Sequence, residues 1–367
     1  MHIDNIHKPS LVLDESKCRR NIRFMAQKAM NSNVLFRPHF KTHQSATIGT
    51  WFKDEGIQAI TVSSITMASF FSNHGWHDIT IAFPLNFREI DEVKKLAEKS
   101  QINLLTASYE HLEILTKKVK FDAGCFIEID TGYKRSGVEW NDYEQLMRMI
   151  DIINKNNNLR LKGFLFHAGH TYSAQSPEEI ISIYGDSLLK TKEIKKRITF
   201  PGLIFSAGDT PSCSVVEDLS GIDEIRPGNF VFYDLMQHQL GSCRKEDIAL
   251  AVYCPVVDIN YKRNEVLIYG GAVHLSKESI TIGENGKKIF GEVAFLAENG
   301  WVFPEERIFV KSITQEHGIL SVPGKLIRKF KRGELVAVIP VHSCLTVDLL
   351  RKYHALDGRI INDLSPK

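Results

Sequence analysis

The chain has 367 residues, of which 43% are hydrophobic and 25% charged, so it is long enough for one large globular domain and a smaller one. Its 46 basic and 44 acidic residues are well mixed and give a net charge of +2, which excludes the one-sided basic surface that nucleic acid or an anionic membrane requires. Six cysteines without CxxC spacing predict reduced thiols. Because the sequence shows neither a signal core nor a run of roughly 18 apolar residues, we expect a cytoplasmic protein.

From residue 34 to about 234, short apolar runs alternate with longer amphipathic stretches, a pattern typical of βα units that wind a parallel sheet. The predicted strands cover residues 34–37, 59–63, 79–83, 102–107, 124–130, 161–167, 202–206 and 224–232. Helical stripes lie between them, for example at 91–99 and 143–155. Eight strands with helical crossovers predict an α/β fold, a (β/α)8 barrel, to which we assign residues 8–240.

After residue 240 the runs become strand-like and are separated by turns. The predicted strands here cover residues 249–257, 265–268, 301–310, 318–322, 334–338 and 345–347. A hairpin signal stands at 284–287. We therefore predict a mostly β domain over residues 241–367, with which residues 1–7 could also pack, and a short C-terminal tail at 364–367.

Lys41 is the first candidate for chemistry, because the functional face of such a barrel is formed by the carboxyl ends of the strands and the loops after them. It follows the first predicted strand and lies between His39 and His43. Cationic neighbours favour the uncharged amine that an imine-forming lysine needs. The alternative is an exposed loop lysine, and without its neighbours this position would favour that interpretation.

The segment Gly208-Asp209-Thr210-Pro211 predicts a turn from the seventh strand into a helix, with Thr210 as N-cap and Pro211 as the first helical residue. Free backbone N–H groups and the positive end of a helix suit a phosphate dianion. Barrels often bind phosphate in the loops after strands seven and eight, although a plain helix cap explains the same residues.

Two arginines, Arg135 and Arg226, lie on or after predicted strand ends in turns that contain glycine, where a guanidinium could face a planar cofactor. A surface ion pair is the alternative for each. Glycines in these loops, Gly208 and Gly228 among them, fit a close approach of the backbone to a ligand, or else they form tight turns.

His342 and Cys344 are separated by one residue, so on an extended strand their side chains would point to the same side. Imidazole and thiolate suit Zn²⁺, and two protein ligands would leave positions open for water or substrate, as in a catalytic site. A buried core pair is the alternative, since no CxxC or HxxxH motif lies nearby to complete a metal site.

Taken together, these motifs resemble the D-serine dehydratase and D-threonine aldolase family, which are pyridoxal 5'-phosphate (PLP) enzymes of the alanine-racemase-like barrel type. The resemblance covers nearly the whole chain. It rests on residues 38–43, 130–137, 167–172, 208–211, 226–230, 316–318 and 342–344. It implies a PLP-binding (β/α)8 barrel of alanine-racemase type, a C-terminal mostly β domain and a homodimer.

The resemblance also implies roles for individual residues. Lys41 would hold PLP as a Schiff base, and Tyr172 would lie beside the cofactor as a second catalytic group. The turn from Gly208 to Thr210 would grip the phosphate, with the Asp209 side chain pointing away, because a small hydroxyl residue is usual at that position. The other cofactor-binding residues would be Arg135 near the phenolic oxygen, Arg226 at the pyridine nitrogen, Gly228 and Asn229. The metal ligands would be His342 and Cys344, which would hold zinc, with manganese and magnesium as alternatives.

A small D-amino acid is the substrate that the resemblance implies. In a dehydratase, Lys41 would take the Cα proton while the metal helps the β-hydroxyl to leave, giving a keto acid and ammonia. In an aldolase, His43, His167 or His170 would remove the hydroxyl proton, giving glycine and an aldehyde. We expect the dehydratase, because residues 170–172 and 342–344 look closer to that branch. A racemase would need a second proton carrier, and a non-catalytic PLP carrier protein would end after the barrel.

Overall fold

The structure, a computed structural model, describes residues 6–283 and 285–367, and contacts divide the chain into two compact units. The barrel unit consists of Ile22–Phe230, Leu240–Ser242 and Ser365–Lys367. The β unit consists of the described residues up to Asn21, of Val231–Gln239 and of Cys243–Leu364. The domain limits 8–240 and 241–367, which come from the sequence, stay a prediction.

The secondary structure follows in chain order. The strands are β1 Ser10–Leu13, β2 Leu35–Phe36, β3 Ala59–Val62, β4 Asp78–Pro84, β5 Gln101–Thr106, β6 Ala123–Asp130, β7 Val138–Glu139, β8 Leu159–Phe166, β9 Ile204–Ala207, β10 Glu224–Ile225, β11 Leu250–Asn260, β12 Glu265–Tyr269, β13 Ile280–Ile282, β14 Lys287–Ile289, β15 Gly291–Ala297, β16 Gly300–Val302, β17 Ile308–Ile313, β18 His317–Ser321, β19 Leu335–Pro340, β20 Tyr353–Ala355 and β21 Ile360–Ile361. The helices are α1 Glu15–Asn31, α2 Ala46–Asp54, α3 Ile65–Asn73, α4 Ile90–Ala97, α5 Tyr109–Lys118, α6 Tyr143–Asn154, α7 Pro177–Arg197, α8 Thr210–Val215, α9 Leu235–Gln239, α10 Ala272–Leu275 and α11 Ser343–Leu350. Short 3-10 turns include Gly169–Ser173 and Asn229–Val231.

The parallel sheet of the barrel unit has the strand order β2-β10-β9-β8-β6-β5-β4-β3, with β7 paired to β6. A parallel bridge between His39, just beyond β2, and Thr61 of β3 joins the two ends of that order and closes the ring. Strand β6 is buried along its whole length, as parallel strands covered by helices are. Each of the eight predicted barrel strands overlaps a strand of this sheet, and the loops after them carry the candidate residues.

In the β unit, the main sheet has the order β12-β18-β17-β15-β19-β11-β1-β20-β21, and β12 also pairs with β11. Its pairings are antiparallel except for that of β1 with β20. This barrel-like sheet confirms the predicted mostly β class of the C-terminal region. The hairpin β13–β14 spans the predicted turn at 284–287, of which Glu284 lies outside the described residues.

Some predicted elements are wrong. Residues 345–347 lie within α11, because an apolar run this short does not distinguish a strand from a helix. The strand predicted at 224–232 ends at Ile225, where Pro227 and the turn after it interrupt pairing. Strand β1 was not predicted, although it pairs with both β11 and β20.

The thiols and the helices agree with two further expectations. All six cysteines are free, as predicted. Burial raises the pKa of Cys125 to about 12, so that thiol stays protonated at neutral pH. Over the described ranges, no helix has the length and apolarity needed to cross a membrane.

Candidate active site

Lys41 lies in the turn after β2, at the carboxyl end of a barrel strand. Its side chain is exposed, whereas its neighbours Phe40 and Thr42 are fully buried. The Lys41 N–H donates to Nδ1 of His39 at 3.3 Å, and the bridge from His39 to Thr61 ties the turn to the next strand. The backbone is therefore fixed while the amine stays accessible.

The last residues of the chain pack on the same turn. The N–H of Ser365 donates to the carbonyl of Gln44 at 2.7 Å, and Ser365 is 1% exposed. Gln44 has a left-handed φ of 55°, a conformation that costs a non-glycine residue about 1 kcal/mol and needs surrounding support. The predicted tail thus supports the Lys41 turn through Ser365.

His39 and His43 do not supply the positive charge expected beside Lys41. Burial holds the pKa of His39 well below its usual range, and it lowers the pKa of His43 to about 3. The fully buried His43 ring has its centroid 4.3 Å from that of Phe40 and 5.5 Å from that of Phe52. His43 is thus an uncharged part of an aromatic core.

The turn after β9 leads into α8, and its N-cap is Asp209 rather than the predicted Thr210. The Asp209 carboxylate accepts the N–H of Ser212 at 2.6 Å and the hydroxyl of Thr171 at 3.2 Å. These bonds direct the carboxylate into the protein. Burial raises the pKa of Asp209 to about 6, although the hydrogen bonds from Ser212 and Thr171 oppose the shift.

Thr210 joins this turn to the one after β10. Its hydroxyl accepts the N–H of Gly228 at 3.3 Å and that of Asn229 at 3.0 Å. Its own N–H donates to the Tyr172 hydroxyl at 3.4 Å. Two turns far apart in sequence therefore bring backbone N–H and hydroxyl groups together, a combination that suits a phosphate dianion.

Both turns approach their neighbours so closely that a side chain at either glycine would force a shift. A Cβ at Gly228 would lie 2.9 Å from the carbonyl oxygen of His39 and 3.1 Å from Oγ1 of Thr42. A Cβ at Gly208 would lie 2.9 Å from Nη1 of Arg226. The glycines thus hold the phosphate-type turns against the Lys41 segment and against Arg226.

Arg226 is 5% exposed, inside the barrel unit. Its Nε donates to Oγ of Ser206 at 2.6 Å and its Nη2 to the carbonyl of Phe166 at 2.8 Å, while Ser206 donates to Glu224 at 2.6 Å. Burial lowers the pKa of Arg226 to about 10 and Glu224 opposes the shift, so the guanidinium is a cation at neutral pH. Nη1, beside Gly208, has no hydrogen-bond partner in the described chain and is available to a ligand.

His167 is central to the site, although the sequence suggested it only as one of three bases. Its Nδ1 hydrogen-bonds to the carbonyl of Gly208, and its ring lies 6.2 Å from that of Tyr172. Burial lowers its pKa to about 3, and the charges of Arg135 and Lys41 add to the shift. His167 therefore lies among the candidate cofactor residues, and its place at the end of the sixth predicted strand was the available signal.

Arg135 and His170 meet at Tyr133, which the sequence did not single out. The guanidinium carbon of Arg135 lies 5.6 Å from the Tyr133 ring centroid, and the side chain, 54% exposed, pairs with Glu128 at 3.5 Å. The His170 ring stacks on Tyr133 at 6.2 Å, and burial lowers its pKa. Nδ1 of His170 is buried without a hydrogen-bond partner among the described residues.

The candidate metal pair belongs to the β unit. His342 is the N-cap of α11 and Cys344 lies in its first turn, so the prediction of an extended strand is wrong. Their side chains nevertheless interact, and Cys344 contributes to the pKa of His342. Burial alone would lower the pKa of His342, but Cys344 and Asp234 raise it to about 11. The three side chains form one polar cluster at the start of α11.

The described residues contain no group of three or more His, Cys, Asp and Glu side chains arranged to hold a metal ion. The chain itself offers an imidazole and a thiol, which are donors that zinc prefers. Two protein ligands would leave coordination positions open, as catalytic metal sites do and structural ones do not.

Two family models match the chain. The model described as "Alanine racemase, N-terminal domain" matches residues 13–235, which is more than half of the chain. The model described as "Putative serine dehydratase domain" matches residues 249–356, in the mostly β region.

Known proteins match over almost the full length. The chain is 28% identical to a D-serine dehydratase from Dictyostelium discoideum, covering 99% of this chain and 97% of that protein. It is 27% identical to a D-threo-3-hydroxyaspartate dehydratase from Delftia sp. (strain HT23), covering 96% and 95%. Among solved structures, a cysteine-to-alanine mutant of D-threo-3-hydroxyaspartate dehydratase in the metal-free form matches with a TM-score of 0.89 and 25% identity, covering 99% of each chain.

Proposed function

The chain belongs to the family of the alanine racemase N-terminal domain, and on that premise we propose that it is a PLP-dependent lyase acting on D-β-hydroxy amino acids. Its reaction is dehydration of the D-serine type, which gives a keto acid and ammonia. Two similar proteins named as dehydratases and the serine dehydratase match at residues 249–356 support this choice.

The meeting of two barrel turns at Thr210 is the observation that carries the cofactor proposal. The N–H groups of Gly228 and Asn229 converge on the Thr210 hydroxyl oxygen, so a phosphate bound at this turn would share or replace that acceptor. Nη1 of Arg226 offers a free donor for a ring nitrogen, and Lys41 offers an exposed amine on a fixed turn. These residues fit the phosphate, the ring and the aldehyde of PLP.

When bound, PLP draws electrons from the Cα of an attached amino acid, so that a bond to Cα breaks more easily. Lys41 Nζ would hold the cofactor through its aldehyde carbon and would accept the Cα proton of the substrate. Arg226, whose pKa of about 10 keeps it cationic, would donate a hydrogen bond to the ring nitrogen without giving up its proton. His167, whose pKa of about 3 keeps it uncharged, orients the turn at Gly208.

We also propose that His342 and Cys344 hold a divalent metal. Zinc is favoured over manganese and magnesium because a thiolate is a soft ligand. A similar enzyme in which a cysteine is replaced by alanine is described in a metal-free form, which supports a cysteine ligand. Such a metal supplies a Lewis acid that can polarise an oxygen of the substrate.

Product analysis tests the proposed reaction. The purified protein is supplied with PLP and zinc and incubated with D-serine, D-threonine and D-threo-3-hydroxyaspartate in turn. We expect a keto acid and ammonia in equal amounts from at least one of them. Glycine and an aldehyde would instead indicate an aldolase, and inversion without cleavage would contradict both reactions.

A further inference from the structure

Asp234 is a fully buried carboxylate of the β unit that the proposed reaction does not yet use. Its Oδ1 accepts the N–H of Gln237 at 2.9 Å, and its Oδ2 accepts the N–H and the hydroxyl of Ser343 at 3.0 and 3.3 Å. Both oxygens are therefore held in place by the protein. The preceding residue, Tyr233, has a left-handed φ of 51°, which costs about 1 kcal/mol or more. The backbone is therefore strained at the residue directly before Asp234.

The same oxygen, Oδ2 of Asp234, lies 3.4 Å from Nδ1 of His342. That separation is slightly longer than a usual hydrogen bond, and the buried Nδ1 atom completes no hydrogen bond with the described residues. A buried ring nitrogen beside a fixed carboxylate needs only a small movement to donate a proton to it.

We propose that Asp234 is the positioning residue for His342: it accepts the proton on Nδ1, so that Nε2 carries the lone pair that binds the metal. This inference rests on the proposed function, in which His342 and Cys344 hold a divalent ion. A neutral imidazole has one N–H and one lone pair, and the partner of one nitrogen decides which nitrogen binds a metal. Because the N–H of Ser343 binds the same Oδ2, one carboxylate anchors both the His342 ring and the backbone between the two ligands.

Zinc affinity tests this role without measuring activity. Competition with a chromophoric chelator at fixed pH is applied to wild type, Asp234→Asn, His342→Ala and the control Asp142→Asn. Asp142 also accepts an N–H three residues later, that of Gln145 at 3.0 Å, but it lies on α6 of the barrel unit. We expect Asp234→Asn to bind zinc about 10- to 100-fold more weakly, because a neutral amide is a poorer acceptor, and Asp142→Asn to match wild type.

Two results separate a failure of this role from a failure of the proposed function. If His342→Ala loses zinc while Asp234→Asn binds as tightly as wild type, Asp234 has no positioning role. If wild type itself binds no zinc, the proposed metal site is wrong, and the role of Asp234 is wrong as well.

A second measurement does not depend on the folding of Asp234→Asn. Zinc-loaded wild type with ¹⁵N-labelled histidine is examined by NMR, and the His342 signals are identified by their loss in His342→Ala. We expect a proton on Nδ1 and metal on Nε2. Metal on Nδ1 with a proton on Nε2 would overturn the inference.

Discussion

At the scale of single residues, Asp209 is a carboxylate whose charge opposes folding. Burial raises its pKa from 3.8 to about 6, so the folded chain binds this proton more tightly than the unfolded chain. Its contribution to the free energy of unfolding is therefore complete below about pH 4 and is lost as the pH rises through 6. His167 has the opposite sign: burial lowers its pKa from 6.5 to about 3, so stability is lost as the pH falls below 6.5.

We predict that Asp209→Asn gains stability relative to wild type as the pH rises from about 4 to about 8. Asparagine still accepts the N–H of Ser212 but carries no charge, so the gain should reach at most about 3 kcal/mol. Urea unfolding of both proteins across this range measures it. Asp142→Asn, a half-buried N-cap on α6, should show no comparable gain, and a pH-independent difference for Asp209→Asn would contradict the explanation.

The different roles of His43 and His167 could not be predicted from the sequence. Both follow predicted strands and both were suggested as bases. His43 is enclosed by Phe52 and Phe71, whose positions depend on how α2 and α3 pack. His167 instead faces Gly208, on a turn that only the closed barrel brings near. Lys41, by contrast, was predictable, because the motif around it identifies a strand end.

At the scale of elements, the turn at Gly228 leaves no room for a side chain between it and the Lys41 segment. We predict that Gly228→Ala weakens PLP binding by about tenfold or more, since a Cβ would lie 2.9 Å from the His39 carbonyl and displace the Lys41 segment. Fluorescence titration of the cofactor-free protein with PLP measures the affinity.

The matched control for Gly228→Ala is Gly185→Ala on α7. A Cβ at Gly185 meets nothing within 4 Å, so alanine should leave PLP affinity unchanged and raise the free energy of unfolding by about 1 kcal/mol. Wild-type PLP affinity in Gly228→Ala would show that the close approach has no role in cofactor binding.

The barrel strands were predictable because glycine and polar turns separate apolar runs from amphipathic helices along residues 34–234. The N-cap of α8 was not, because Asp209 and Thr210 are both good caps and tertiary contacts to Gly228 and Asn229 decide between them. The helical position of Cys344 and the N-cap position of His342 were also not predictable. Val341 ends an apolar run that favours a strand, and nothing local marks the start of α11.

At the scale of the whole molecule, the proposed cofactor residues belong to the barrel unit and the metal pair to the β unit. We predict that exhaustive chelation lowers lyase activity by about 100-fold or more, while the absorbance of bound PLP persists, because different residues hold the two groups. Added zinc should restore activity in wild type but not in His342→Ala. Full activity in metal-free protein would remove the metal from the reaction.

The overall architecture was predictable because many motifs agree, whereas the assembly was not. The homodimer, the cytoplasmic location and the D-amino acid that the site prefers depend on surfaces and partners that no motif specifies, and they remain predictions.

Chemical trapping tests most directly whether Lys41 carries the cofactor. Protein loaded with PLP is reduced with borohydride, digested and analysed by mass spectrometry. We predict a pyridoxyl phosphate group on the peptide that contains Lys41, and its absence in Lys41→Ala. A group on a different lysine, or an adduct that persists at full yield in Lys41→Ala, would contradict the claim.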